Sequence, residues 1–192
     1  PDNGTVMGES AGAVSVATLL AMPAAHGLFH RAIVQSGASG LSPATRADAS
    51  ESARVVLAEL AIGPANLDSL AVVPTDRWLA VQESLSRVRG LGAFTPFVDG
   101  VSVPRLPIDS IRDSTGIRVP LLLGSNRDEW ALFDVFFGDF ATGIVRAQLA
   151  GRLGADAARF HAVYRSARSD HSEARAWVDM IGDVAFRIPM IR

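Results

Sequence analysis

Residues 8–12 read Gly8-Glu9-Ser10-Ala11-Gly12, a pentapeptide of the form G-x-S-x-G. A serine hydroxyl is a poor nucleophile at its free pKa. It attacks a carbonyl only where the chain brings it to a base and to donors for the developing oxyanion. The setting of this motif suits that chemistry. A short β-prone run, Thr5-Val6-Met7, precedes it, and an Ala/Leu/Val-rich stretch from Ala13 to Met22 follows. Strand, sharp turn and helix together make a nucleophile elbow, with the serine on a strained corner above the sheet. The flanking glycines let neighbouring backbone pass close by. The same residues can also form an ordinary tight turn, and the motif alone does not separate the two.

The elements that must position Ser10 follow from the hydrophobic pattern. Residues 4–7 read as a buried strand and 11–22 as a helix too apolar all round for a surface element. His30 to Gly37 reads as a second strand stopped by glycine, and 38–47 as a Ser/Gly/Pro loop. Residues 48–61 have helical spacing, with Ala53, Val56, Leu57 and Leu60 on one face. A short helix follows over 64–70, then a helix over 75–87 capped by Thr75 or Asp76. Val119 to Gly124 is a third strand, its Pro120 at the start where no ladder bond is lost. Residues 128–137 are rich in aromatics. Helical patterns fill 142–152, 154–168 and 170–186, the last opening on Asp170-His171-Ser172-Glu173, which resembles a capping box. Three buried-type strands separated by helices predict an α/β fold with a parallel sheet. Residues 1–140 are expected to form its core, and 141–192 a helical subdomain.

Composition narrows the partners. Hydrophobic residues make up 48% of the 192 and charged residues 20%, enough for a packed core. The net charge of −2 gives no basic field for nucleic acid. No apolar run reaches membrane-spanning length. Cysteine is absent, which excludes disulfides and thiolate metal sites. Neither a metal nor an organic cofactor is implied, and nothing in the chain gives a cellular address.

Two longer stretches, 3–12 and Gly27-Leu28-Phe29-His30-Arg31-Ala32-Ile33-Val34-Gln35-Ser36-Gly37, closely resemble the type-B carboxylesterases. This is the esterase, lipase and cholinesterase family of the α/β-hydrolase fold. Phe97-Val98-Asp99-Gly100 and Leu121 to Glu129 agree in family order, and Asp183 to Phe186 with Pro189 agrees more weakly. The resemblance implies hydrolysis of small carboxylic esters by a Ser-Glu-His triad. Ser10 would be the nucleophile, the backbone N–H of Ala11 an oxyanion donor, and Glu129 the acid that orients the histidine and stabilises its cation. Asp128 is a distant second choice for the acid. Ser36 would support the acid, and Glu9 would add negative potential near the site; each also has a plain structural reading, as a strand end and as a turn residue. Family relatives that serve in adhesion keep the fold and generally lose the serine, and Ser10 and Glu129 both stand here.

The base is the missing part. Four histidines are present. His26 falls in a loop, His30 at a strand entry, His161 in mid-helix and His171 at a helix start, and none is expected to be catalytic. The family's histidine would fall beyond residue 192 and its glycine-rich oxyanion loop before residue 1. The chain starts at Pro1 without methionine and ends without a cap, which suggests an internal segment. Such a segment is expected to be inactive and poorly soluble alone, or to work with a companion chain carrying the remainder. Two local departures from the family, and one loop placed where relatives line the acyl pocket, add expectations. Gly4 would weaken the first strand. Trp130 stands where glycine is usual and would be strained if that position needs positive φ. The small residues of 90–94 would leave room for a wider acyl group. Phe133, Phe136 and Phe137 would serve either a core contact or a gorge lining.

Overall fold

The computed structural model describes residues 2–37, 44–89 and 93–191, the side chains of 88, 89, 140 and 141 excepted. Three strands form one parallel sheet in the order β1 (Thr5–Glu9), β2 (Arg31–Gln35), β3 (Leu121–Gly124). Parallel neighbours need crossover connections. Helix α1 (Ala11–Ala21) makes the first, and the long span from 44 to 120 makes the second. Register pairs Glu9 with Gln35 and Gln35 with Gly124, so all three strands finish level at one edge.

Side-chain alternation decides which sheet face is filled. Ala32 and Val34 of β2 turn to α1, whose Ala13, Val16 and Leu20 complete a buried cluster with Phe29. The opposite row, Met7, Ile33 and Leu122, has no such cover, and Met7 is 66% exposed. The strands are therefore half-covered, where strands buried on both faces are expected of a parallel sheet. Only part of α1 is buried as well: Ala11, Gly12 and Ser15 face solvent.

Two compact units are present, residues 43–106 and the remainder. In the first, α2 (Arg46–Leu60) is opened by a capping box in which the Thr45 hydroxyl and the Asp48 carboxylate satisfy each other's backbone amides. It closes on Ala61 in the left-handed region. A 3₁₀ segment (Pro64–Val72) leads to α3 (Thr75–Arg89), which already includes Thr75 and Asp76 in its first turn. Val56, Val81, Leu85 and Ala93 form this unit's core.

In the other unit, α4 (Pro107–Arg112) leads to β3, and α5 (Glu129–Leu153) starts directly at the expected acid. The aromatic run 128–137 is thus helical, and the helix breaks at Gly138, where φ is 67°. α6 (Asp156–Ala167) and α7 (Glu173–Gly182) follow, then a wider π turn over Asp183–Arg187 and α8 (Ile188–Ile191). Ser172, rather than Asp170, caps α7 by accepting the Arg175 N–H. Trp130, Leu149, Val178, Met180, Ile181 and Phe186 form the second core of this unit. No single helix among the described residues is long and apolar enough to cross a membrane.

Candidate active site

The sheet stops at Glu9 because the chain turns sharply there. Ser10 takes φ 54° and ψ −117°, a region non-glycine residues avoid, and α1 begins at the next residue. The turn is tight enough to need Gly8: a Cβ there would lie 2.3 Å from the backbone of Gly12. Gly12 is different, since a Cβ on it would meet nothing within 4 Å. Of the two flanking glycines only Gly8 is required by close approach. The Ser10 N–H donates to the Gln35 carbonyl at 2.9 Å, extending the β1–β2 ladder by one bond. Ala11 opens α1, so its amide is one of those left without an intrahelical acceptor.

The neighbouring strand repeats the device. Ser36 follows β2 at φ 52°, and its N–H donates to the Gly124 carbonyl at 2.7 Å. Its hydroxyl is buried and accepts a long bond, 3.5 Å, from Asn126 Nδ2. Asn126 also holds Glu129. Its backbone N–H donates to Glu129 Oε1 at 2.6 Å, and its Nδ2 lies 3.3 Å from Oε2. Glu129 opens α5, where the helix dipole favours a negative group. A chain of contacts therefore runs from Ser36 through Asn126 to Glu129. Asn126 has no assigned part in the sequence reading. A side-chain amide three residues before an acid at a helix start is the signal that points to it.

Ser10, Ala11, Ser36 and Glu129 all follow the level ends of the three strands, so they share one edge of the sheet. Strand spacing puts the axes of β1 and β3 about 10 Å apart. Glu9 is the last residue of β1 and is exposed. Asp128 points elsewhere: its carboxylate pairs with Arg175 at 2.9 Å.

The histidines do not join this edge. His30 accepts the Gly4 N–H at 3.2 Å, which ties it to the opposite end of the sheet, about 20 Å away along β1. His26 is exposed just before that same end. His161 stacks on Trp177 with ring centroids 4.7 Å apart, and His171 Nδ1 lies 2.7 Å from Asp179. Among the described residues no group of three or more His, Asp or Glu could hold a metal ion.

The expectations on Gly4, Trp130 and Phe133 resolve. Gly4 precedes β1 and does not weaken its interior; its N–H and carbonyl bind His30 and Arg31. Trp130 is a helical residue without positive φ, so it is unstrained. It is buried, stacks on Phe133 at 4.8 Å and donates from Nε1 to Thr142 Oγ1 at 3.1 Å. Phe133 is a core contact, packed against Trp130 and Phe186, whereas Phe136 is exposed. Of the loop 90–94, Gly90, Leu91 and Gly92 lie outside the described residues; Ala93 is buried in its own unit and Phe94 is exposed.

The chain is similar over its length to known esterases. The profile of the carboxylesterase family matches residues 1–192. The para-nitrobenzyl esterase of Bacillus subtilis (strain 168) is 39% identical over 137 residues, covering 69% of this chain and 28% of that protein. The acylcarnitine hydrolase of Mus musculus is 30% identical over 207 residues, covering all of this chain and 36% of that one. Among solved structures, the Geobacillus stearothermophilus carboxylesterase EST55 superposes with a TM-score of 0.79 at 30% identity, over the whole of this chain and 40% of its own. The chain thus spans 28% to 40% of the length of these relatives.

Proposed function

Because this chain belongs to the carboxylesterase family and has its α/β-hydrolase fold, we propose that it carries the nucleophile and the acid of a carboxylic ester hydrolase. Ser10 Oγ attacks the acyl carbon as its proton passes to a histidine supplied from outside residues 1–192. The Ala11 N–H donates to the oxyanion that develops, an interaction worth roughly 3 kcal/mol where single donors have been removed. The alkoxy group leaves with the proton returned by the histidine, and water then hydrolyses the acyl-serine by the same steps in reverse order. Glu129 keeps the imidazole in one tautomer and stabilises its cation without taking the proton. Ser36 supports Glu129 through Asn126, and Glu9 contributes negative potential at the rim. In this reading residues 1–140 carry the core from elbow to acid, and 141–192 a helical part.

One observation carries the reading: Ser10 sits at positive φ, off the end of β1, on the edge where Glu129 also stands. Strain of this kind persists where the surrounding structure over-determines it, and it concentrates at functional sites. None of the four histidines reaches that edge among the described residues, so residues 1–192 alone are expected to be inactive. The base then comes from further along the same polypeptide or from a companion chain.

A para-nitrobenzyl ester, the substrate named in a relative, is a suitable probe. Turnover should occur with the full-length protein, vanish in Ser10→Ala, and be absent from residues 1–192. Strong turnover by residues 1–192 would contradict the external base. Undiminished turnover in Ser10→Ala would overturn the nucleophile.

A further inference from the structure

Glu129 is braced from a helix that the ester chemistry does not otherwise use. Asp128, at the cap position of α5, makes no side-chain bond to its own helix. Its Oδ1 instead lies 2.9 Å from Arg175 Nη2 of α7 and 3.6 Å from Arg168 Nη1. Arg175 also turns its Nε to Asp179 Oδ1, at 3.2 Å and one helical turn along. The Asp179 side chain is 2% exposed. Its Oδ1 also faces Arg168 Nη1 at 3.2 Å, and its Oδ2 lies 2.7 Å from His171 Nδ1. The His171 carbonyl in turn accepts from Arg165 of α6.

A buried carboxylate persists only when its oxygens are paired, and both oxygens of Asp179 are. The Arg175–Asp128 pair by itself, 35% and 42% exposed, would count for little in stability. Its value lies in direction. Arg175 is fixed at one end by a buried anchor and reaches with the other to the residue just before Glu129. A second contact acts at the same place. A Cβ on Gly182, the last residue of α7, would lie 3.3 Å from the Trp130 nitrogen and 3.9 Å from Glu129 Cβ. The end of α7 therefore lies directly against the first turn of α5.

We propose that Arg175, anchored by Asp179, is a positioning residue for Glu129: through Asp128 it sets the start of α5, and so the angle at which the acid meets the imidazole. This rests on the reading of Ser10 and Glu129 given above. Releasing the clamp removes none of the reacting groups but lets the Glu129 carboxylate drift, and a misplacement near 1 Å costs a triad about 100-fold.

The test uses the full-length protein and a para-nitrobenzyl ester. Arg175→Met keeps the packed methylenes and removes the charge. It should lower kcat about 10- to 100-fold with KM unchanged. It should also move the limb of kcat/KM that reports the base to lower pH, because an imidazolium that loses its carboxylate partner gives up its proton more readily. Asp128→Asn should reproduce both changes, and Arg175→Met with Asp128→Asn should be no worse than either alone. Lowered thermal stability with kcat and the pH limb unchanged would mark Arg175 as merely structural and overturn the proposal; additive losses in the double variant would do the same. If Arg175→Met does not fold, Asp128→Asn and Arg175→Lys decide by the same readouts. A wild-type protein whose turnover survives Ser10→Ala overturns both this proposal and the reading beneath it. An unchanged profile in Arg175→Met, with Ser10→Ala inactive, overturns this proposal alone.

Discussion

Gly8→Ala should disable the elbow, and Gly12→Ala should not. A Cβ at residue 8 would lie 2.3 Å from both the carbonyl carbon and oxygen of Gly12, and 2.7 Å from the Ala13 nitrogen. These are backbone atoms, so no rotamer change relieves the overlap. Real Cβ atoms essentially never lie closer than 3.0 Å and ordinary contact begins at 3.4 Å, so the turn must open by about 0.7 to 1.1 Å. Ala13 is fully buried against β2, so α1 cannot retreat without disturbing the first core. Overpacking a well-packed core costs about 1–3 kcal/mol, and a backbone clash belongs at or above the top of that range. The opening also carries Ser10 off its attack position by about 1 Å, which costs about 100-fold in rate. At Gly12 the added methyl meets nothing within 4 Å. Alanine is the better helix former there, so stability should rise by up to about 1 kcal/mol. Denaturant melts and ester turnover of the two full-length variants separate the cases. If Gly8→Ala melts within about 0.5 kcal/mol of wild type and turns over at the wild-type rate, the close approach is not what residue 8 provides.

Further outcomes follow from the same geometry. Ser10→Gly should abolish turnover yet raise stability by about 1 kcal/mol, because it releases strain of about 1–3 kcal/mol and loses part of that to unfolded-chain entropy; an unchanged denaturant midpoint would contradict the strain. The amides of Val101 and Val103 hold the Asp99 carboxylate at about 2, well below its ordinary value. A depressed acid stabilises the fold above its unfolded pKa, so this contribution is complete above about pH 4, fades from there toward about pH 2, and should vanish from the acid melt of Asp99→Asn. Trp130→Gly removes a buried ring stacked at 4.8 Å on Phe133 and leaves the Thr142 hydroxyl oxygen without its indole donor; it should cost about 3–5 kcal/mol by thermal melting.

The parts legible in the sequence are those carried by local chemistry. The elbow, three strands and most helices announce themselves by glycine, β-branched runs and 3.6-residue spacing, and their ends fall within a few residues of expectation. The capping box of Thr45 and Asp48 is equally local, but its Asp stands where the usual pattern has Glu or Gln. Nonlocal facts were out of reach. Nothing in the pattern of 128–137 says that the aromatics continue a helix beginning at the acid, because Trp130 and Phe133 are placed by partners on α7 and beyond it. Asn126 is near Glu129 in sequence, but its bond to Ser36 spans ninety positions. The Asp128–Arg175–Asp179 chain is of the same kind, since Arg175 and Asp128 stand 47 positions apart.

Ser10 and Glu129, the proposed nucleophile and acid, are linked through β2 by main-chain bonds as well as by the Asn126 side chain. The Ser10 N–H binds the Gln35 carbonyl, and the next residue, Ser36, binds the Gly124 carbonyl. Gln35, the last residue of the middle strand, and Ser36 just after it thus grip the outgoing ends of both neighbours. Ser10 and Ser36 each leave the sheet at positive φ, 54° and 52°. Neither could hold that conformation cheaply if its ladder bond were absent, since the backbone would relax into the ordinary β region. The bonds that end the sheet are therefore the ones that keep both serines turned out. Any change that slips β2 by a fraction of a residue moves the hydroxyl of Ser10 and the Ser36–Asn126–Glu129 chain together. Ala32 and Val34, packed against α1, set that register. Core substitutions at those two positions should consequently lower turnover by more than their loss of stability accounts for.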